Sequence, residues 1–301
     1  MKNPRKWKKW ILPWLTLTLT ACGQHTPKSA QPSWPVVHVS VNVSSSFLAL
    51  PLYVAQNLHL FQDEHIRVDI VPANHSELMI SDTVKSWPVL GSLASRPDLF
   101  LVAPAPDPHF RLKALDRLPV EYADNLQISL NLLQSIMTLN RTHPYLETVS
   151  FKHIQNLWRQ RHLPWAIVTL HQFYQLRQQD PHTVILNWLG ASTGPIPALI
   201  LSGHSKNSVP FLRAINLALW YIHTSSPKTI AGILANPQEK SLPQQIAQGL
   251  HYGLWPVTTY ISPSEYNRGR ALYSLSTQDT WPPYYEGVDK KLATQALSAA
   301  Y

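Results

Sequence analysis

Gly190-Ala191-Ser192-Thr193-Gly194 has the G-x-S-x-G spacing in which a serine is raised on a tight turn to attack a carbonyl carbon. Such an elbow needs a strand before the serine and a helix after it. Val184–Leu189 reads as the strand, but Pro195 and Pro197 follow at once, and Ala198-Leu199-Ile200-Leu201 reads as extended. An acid and a histidine stand downstream in Glu239 and His251, with no pattern around either. Ser192 therefore carries an ester-hydrolase reading that its own flanks oppose. The fourteen histidines are scattered, without the spacing of paired metal ligands, and there is no H-E-x-x-H, P-loop or G-x-G-x-x-G. Neither a metal nor a cofactor is expected, and the chain does not read as an enzyme. Cysteine occurs once, at Cys22, so no internal disulfide can form.

The surroundings of that cysteine are informative. Lys2, Arg5, Lys6, Lys8 and Lys9 precede an apolar run from Trp10 to Leu19, the charged-then-apolar layout of a secretory signal. The run is shorter than the ~20 apolar residues that span a bilayer. It ends in Leu19-Thr20-Ala21-Cys22, which resembles the lipobox of bacterial lipoproteins. That resemblance implies cleavage after residue 21 and a diacylglyceryl thioether on Cys22. Two acyl chains anchor stably where one is marginal. The expectation is an extracytoplasmic protein, lipid-anchored to the bacterial cell membrane. Removing the leader's five positive charges from the formal +8 leaves +3, too mild for a nucleic-acid partner, and no basic-aromatic stripe appears.

Residues 22–35, rich in Gln, Ser, Thr and Pro, read as a flexible tether. A body of about 265 residues follows, long enough for two lobes. Strands are expected at 36–43, 65–71, 99–103, 119–122, 148–151, 165–169 and 184–189, with 197–201 extended. Helices are expected at 47–58, 125–139, 152–161 and 171–179, and then through the last third at 209–223, 227–235, 243–253, 263–273 and 289–300. Alternating strands and helices argue for α/β with mostly parallel sheets and a helical C-terminal region.

The segment Leu50-Pro51-Leu52-Tyr53-Val54-Ala55-Gln56-Asn57-Leu58-His59-Leu60-Phe61 resembles the P-x-Y-x-A-x-x-x-G-x-F signature of solute-binding proteins for nitrate-, sulfonate- and taurine-type ABC importers. That superfamily includes the thiamine-pyrimidine-precursor binding proteins. Ile66–Pro72, Phe100–Ala103, Leu112–Leu118, Leu163–Val168, Gly194–Leu201 and Gln278–Asp289 are similar to later family segments in the same order. The resemblance implies a two-lobed, periplasmic-binding-protein-like (type II) fold. Residues 36–103 would form the first part of lobe I, 104–196 lobe II, and 197–301 the return to lobe I with the C-terminal helices. It also implies a monomer that captures a small-molecule solute, a sulfonate-, nitrate- or taurine-like anion or a heterocyclic precursor, by closure of the lobes, and presents it to an ABC permease.

Three features depart from the family pattern. The glycine expected before Phe61 is His59 or Leu60, and Thr169-Leu170 stands in place of an acid-proline pair. Only Pro72–Ser76 separates Val71 from Leu78-Met79-Ile80, although a parallel crossover ordinarily takes a dozen or so residues. Either a helix is lost there and the sheet edge rearranged, or 77–86 forms a helix without the strand.

Carried onto this chain, the cleft-facing positions are Ser44, Ser45, Ser46 and Phe47 after the first strand, Asn74 after the second, and Ser81 and Asp82. In lobe II they are Tyr122, Asn125, Thr169, His171 and Thr193. Helix capping and turn chemistry explain most of these residue types equally well. Three functions compete with transport: an exported lipoprotein ester hydrolase using Ser192, a pyrimidine-synthesising enzyme of the same superfamily, against which the export signal argues, and a diverged lipoprotein that binds a protein or cell-wall component without a transport role.

Overall fold

The computed structural model describes residues 33–43, 45–84, 87–117, 119–123, 130–234, 239–275 and 281–298. Residues 1–21, expected to be a signal, lie outside these residues, as do Cys22, Ser44 and Asn125. Two five-stranded sheets carry the fold, and Trp34–Tyr301 is one compact unit.

The first sheet has the order β2-β1-β3-β10-β4, with β1 at Val36–Asn42, β2 at Arg67–Ile70, β3 at Leu78–Ser81, β4 at Val89–Ala94 and β10 at Leu199–Gly203. The second runs β7-β6-β8-β5-β9, with β5 at Phe100–Ala103, β6 at Val120–Ala123, β7 at Leu146–Val149, β8 at Ala166–Val168 and β9 at Val184–Trp188. The two orders correspond strand for strand. In each sheet four strands run one way and the fifth, β10 or β5, runs against its neighbours. Each of these two odd strands enters from the other sheet, so the chain crosses twice, at residues 95–99 and 189–198. The crossings hydrogen-bond to one another: Leu189 N–H donates to Leu99 O at 3.0 Å and Ile196 N–H to Ser95 O at 3.0 Å.

Local sequence accounts for most elements. In β1 the alternating Val37 and Val39 are fully buried, as a half-covered strand of β-branched residues requires. Helix α4, Phe151–Arg159, buries Ile154 and Trp158 one turn apart and exposes Lys152, His153, Asn156 and Arg159. Ser150 caps it by accepting the His153 N–H at 3.2 Å. The segment 46–57 is a 3-10 turn, Ser46–Ala49, running into α1, Leu50–Asn57, with Pro51 in the first turn where its missing N–H is harmless. His59 takes the left-handed conformation (φ 60°) before the short α2, Leu60–Asp63. It thus occupies the place where the family signature has glycine.

The short connection from β2 to β3 resolves in favour of the strand with the helix lost. Val39 pairs with Ile70 on one side and Leu78 on the other. β3 therefore begins at the level where β2 ends, and the chain has only to step sideways across β1, about 10 Å. A long crossover is needed only when the chain must travel back along the strand. Residues 71–77 make the step through a 3-10 turn at Ala73–His75, secured by Ser76 Oγ donating to Ser40 Oγ at 3.0 Å.

Strand β4 has no counterpart among the expected elements. Gly91, Ser92 and Ser95 lower its apparent strand propensity, yet all six of its residues are buried. A Cβ on Gly91 would stand 2.9 Å from Thr259 O, so glycine admits that backbone. Ser92 Oγ is consumed internally, donating to Ala94 O and Leu199 O.

The other helices are α3 (Leu130–Leu139), α5 (Leu170–Gln179), α6 (Ser208–Thr224), α7 (Pro227–Ile233), α8 (Leu242–His251), α9 (Pro263–Ser274), α10 (Tyr284–Gly287) and α11 (Lys290–Leu297). α6 packs on α1, α2 and α11, while α8 reaches α5 and α9 reaches α3, so C-terminal helices touch the second sheet's layer on two sides. The buried side chains form one continuous cluster from sheet to sheet. No helix among the described residues is long and apolar enough to cross a membrane.

Candidate functional site

The carboxyl ends of β1 and β8 turn toward each other across the first crossover, and the sequence there carries hydroxyls, a histidine and an acid. Asp98, in the crossover, is only 3 % exposed. Its Oδ2 accepts the Ser45 hydroxyl at 2.5 Å, and its Oδ1 accepts the Leu170 backbone N–H at 2.8 Å. Ser45 follows the first sheet's β1, and Leu170 opens α5 behind the second sheet's β8. One buried carboxylate thus joins the two halves. Burial pushes its pKa up to about 6, against the opposing pull of Ser45, the Leu170 N–H and nearby His171.

Ser45 is therefore no helix cap: it makes no capping bond to the turn that follows. Its neighbours Ser46 and Phe47 line a cavity of about 270 Å³, together with Leu50, Tyr53 and Asn57 of α1. The facing wall is His171 of α5 with Leu234, Glu239 and Leu242 from the α7–α8 region. His171 Nδ1 lies 3.0 Å from Glu239 Oε1 and 3.2 Å from Gln245 Oε1, and Nε2 lies 2.9 Å from the Gln175 amide nitrogen. The ring thus bridges Glu239 and Gln245 on one side to Gln175 of its own helix on the other. Tyr174 Oη donates to Gln248 Oε1 at 2.8 Å, further tying α5 to α8.

The remaining expected positions are placed elsewhere or spent locally. Thr169 caps α5: it accepts the Gln172 N–H at 3.2 Å while Gln172 Oε1 accepts the Thr169 N–H at 3.0 Å. The fully buried Ser81 accepts the Thr83 N–H, and the Asp82 carbonyl accepts the Tyr273 hydroxyl at 2.6 Å. Asn74 is exposed in the 3-10 turn beyond β2, beside His75. Tyr122 is buried against Thr148 and borders a separate cavity within the second sheet's layer. Thr193 donates to Gly190 O and Gly194 O inside its own turn.

The sequence reading missed Asp98, and offered Glu239 only as an acid downstream of Ser192. Each meets its partners only through the tertiary fold, Asp98 lying 53 residues from Ser45 and 72 from Leu170.

The serine motif at 190–194 lies in the second crossing, between β9 and β10. Residues 189–193 form a 3-10 turn, no α-helix follows Ser192, and the chain runs extended into β10. A Cβ on Gly190 would meet Pro97 O at 2.6 Å, and Gly194 sits at φ 62°. Gly190 is thus required by the close passage of the two crossovers, and Gly194 by its left-handed backbone beside Arg268. Ser192 Oγ donates to Leu189 O at 3.1 Å and lies 3.3 Å from Asn140 Nδ2. Among the described residues no three of His, Cys, Asp and Glu are grouped to hold a metal.

Paired sheets of matching strand order, one odd strand exchanged each way and a cavity walled from both sides, define a known architecture. The fold is that of the two-lobed periplasmic binding proteins. No protein-family model and no curated sequence matches the chain, so the likeness lies in structure alone. It is similar to the periplasmic aliphatic sulphonate binding protein SsuA of Escherichia coli, with a TM-score of 0.62 at 12% identity over 80% of this chain and 91% of that one. The zinc-bound ligand-binding component of an ABC-type import system from Staphylococcus aureus gives 0.61 at 10% identity over 87% and 99%. The desulfurization enzyme DSZB gives 0.61 at 9% identity over 89% and 100%. A fold shared by binding proteins and an enzyme leaves function to the site.

Proposed function

We propose that this protein is the extracytoplasmic solute-binding component of an ABC importer, lipid-anchored through Cys22, which presents a small solute to a membrane permease. The carrying observation is the cavity between α1 and the α5–α8 wall, at the carboxyl ends of strands from both sheets. Ligands of open α/β folds bind at such strand ends. A solute touching Ser46, Phe47 and Tyr53 on one side and His171 on the other favours the closed arrangement by its differential affinity for it. The lobe limits are those the sequence suggests, 36–103 with 197–301 against 104–196, and a monomer suffices. No bond-making residue is required. Hydrolysis is the weaker reading, because among the described residues Ser192 bonds to Leu189 O and Asn140 and is followed by no helix.

Thermal melting across taurine, methanesulfonate, nitrate and small nitrogen heterocycles tests the proposal. A true ligand raises the melting temperature as RT ln(1 + [L]/Kd), and substituting Tyr53→Ala abolishes the rise. A panel without any response removes the solute-binding role. Metabolic labelling with a fatty acid, lost in Cys22→Ser, tests the anchor separately.

A further inference from the structure

We propose that the layer of the second sheet holds a binding site of its own, for an uncharged, hydroxylated ring of the sugar type. The site is the cavity of about 490 Å³ between the C-terminal half of α3 and strands β6 and β7. Its volume falls in the ~300–1,000 Å³ range of small-molecule sites. No described residue lines both this cavity and the one between α1 and α5, so its occupancy is independent of the solute-binding reading. The walls are held in place by the backbone. Arg141 takes the left-handed conformation (φ 55°) to end α3, and the Thr142 N–H donates back to Met137 O at 3.0 Å. The His143 N–H donates to Asp116 Oδ1 at 2.7 Å, and Tyr145 O accepts the Val120 N–H at 2.9 Å. The turn from α3 into β7 is thus fastened at three points, yet Tyr145 is left 71 % exposed at the cavity's edge. Its ring is a fixed face open to whatever enters. The floor is Tyr122 and Met137, 1 % and 2 % exposed. The Thr148 hydroxyl donates to the Tyr122 hydroxyl, and among the described residues nothing accepts the phenolic hydrogen.

The polar groups select the class of ligand. Ions are met by side chains that only donate, lysine and arginine, or only accept, aspartate and glutamate, and a charge buried without such a partner is costly. None of these four types lines the cavity among the described residues. Its polar groups are tyrosine and threonine hydroxyls, the Gln134 amide and the His143 ring, each able both to donate and to accept. Sugar hydroxyls have the same dual character. The C–H face of a pyranose matches the Tyr145 ring and the Met137 thioether. A purely apolar ligand would strip water from the polar groups without replacing its hydrogen bonds.

Methyl NMR localises the test, because the chain has three methionines: Met1 begins it, Met79 lies in β3 of the first sheet, and Met137 forms the cavity floor. The full chain, labelled at its methionine methyls, is titrated with maltose, cellobiose and N-acetylglucosamine. Sorbitol serves as an open-chain polyol and benzyl alcohol as an apolar ring. The expected result is a saturable shift of the Met137 methyl with at least one of the sugars and none at Met79. Tyr145→Phe keeps the ring and should bind as the original protein does, whereas Tyr145→Ala should weaken binding about two- to tenfold. The exposure of Tyr145 keeps both variants folded. A Met137 methyl unmoved by every sugar overturns the proposal, as does a shift shared equally by Met79. An equal response to sorbitol, a response to benzyl alcohol alone, or an unchanged affinity in Tyr145→Ala overturns it as well.

Discussion

Replacing Asp98 by Asn isolates the energetic consequence of burying a carboxylate at the joint between the sheets. An asparagine fits the same contacts, its Oδ1 accepting the Leu170 N–H and its Nδ2 donating to Ser45 Oγ. In the folded protein the carboxyl titrates near 6, above the 3.8 of a free aspartate, because burial disfavours its charge more than its partners favour it. The folded state therefore holds this proton more tightly than the unfolded chain does. The resulting stabilisation is fully present below about pH 4 and is lost as pH rises through 6. At about 1.4 kcal/mol per tenfold change, the span amounts to about 3 kcal/mol. Urea unfolding of both proteins at intervals from pH 4 to 8 measures it, because groups other than Asp98 cancel in the difference between them. Asp98→Asn should gain about 2–3 kcal/mol relative to the original protein between pH 4 and 7.5, most of it before pH 6.5. A flat difference would mean that the carboxyl is solvated or evenly compensated. A difference falling with pH would mean that its ionised form stabilises the fold, and the reasoning would be refuted.

Other positions give sharper local tests. His59→Gly relieves a left-handed backbone that costs about 1–2 kcal/mol for a side-chain-bearing residue, less the extra freedom of glycine in the unfolded chain, for a net gain of about 0.5 kcal/mol by chemical denaturation. Thr183→Val keeps the shape but strands the buried Trp158 Nε1–H, which donates to Thr183 Oγ1 at 2.9 Å, and should cost about 1–3 kcal/mol in the same assay. Gly91→Ala forces a methyl to within 2.9 Å of Thr259 O in an interior strand, and calorimetry should show a loss of about 1–3 kcal/mol. Ser192→Ala should leave hydrolysis of p-nitrophenyl esters at the unchanged background and stability within about 0.5 kcal/mol.

The architecture was legible because its cues are local. Alternating valines announce β1, and the order of strands and helices implies α/β with mostly parallel sheets. β4 was hidden because a strand buried on both faces and pressed against Thr259 needs small residues, which a sequence reading takes for a loop. The β2–β3 connection looked too short only under the assumption that the two strands lie level. Its register removes the need for a return path, and no local pattern reports register across a third strand.

The site divides along the same line. Ser45, Ser46, Phe47 and His171 could be named because they follow strands whose ends were visible. Asp98 could not, because it gains its meaning from partners far off in the chain, and Glu239 was visible only as an acid downstream of Ser192. Asp98 also changes how the visible residues are to be understood. A serine loop and an open helix start suggest an anion site when considered one at a time, since both present donors. Once a buried carboxylate is seen to satisfy both, their residue types are accounted for without a bound solute.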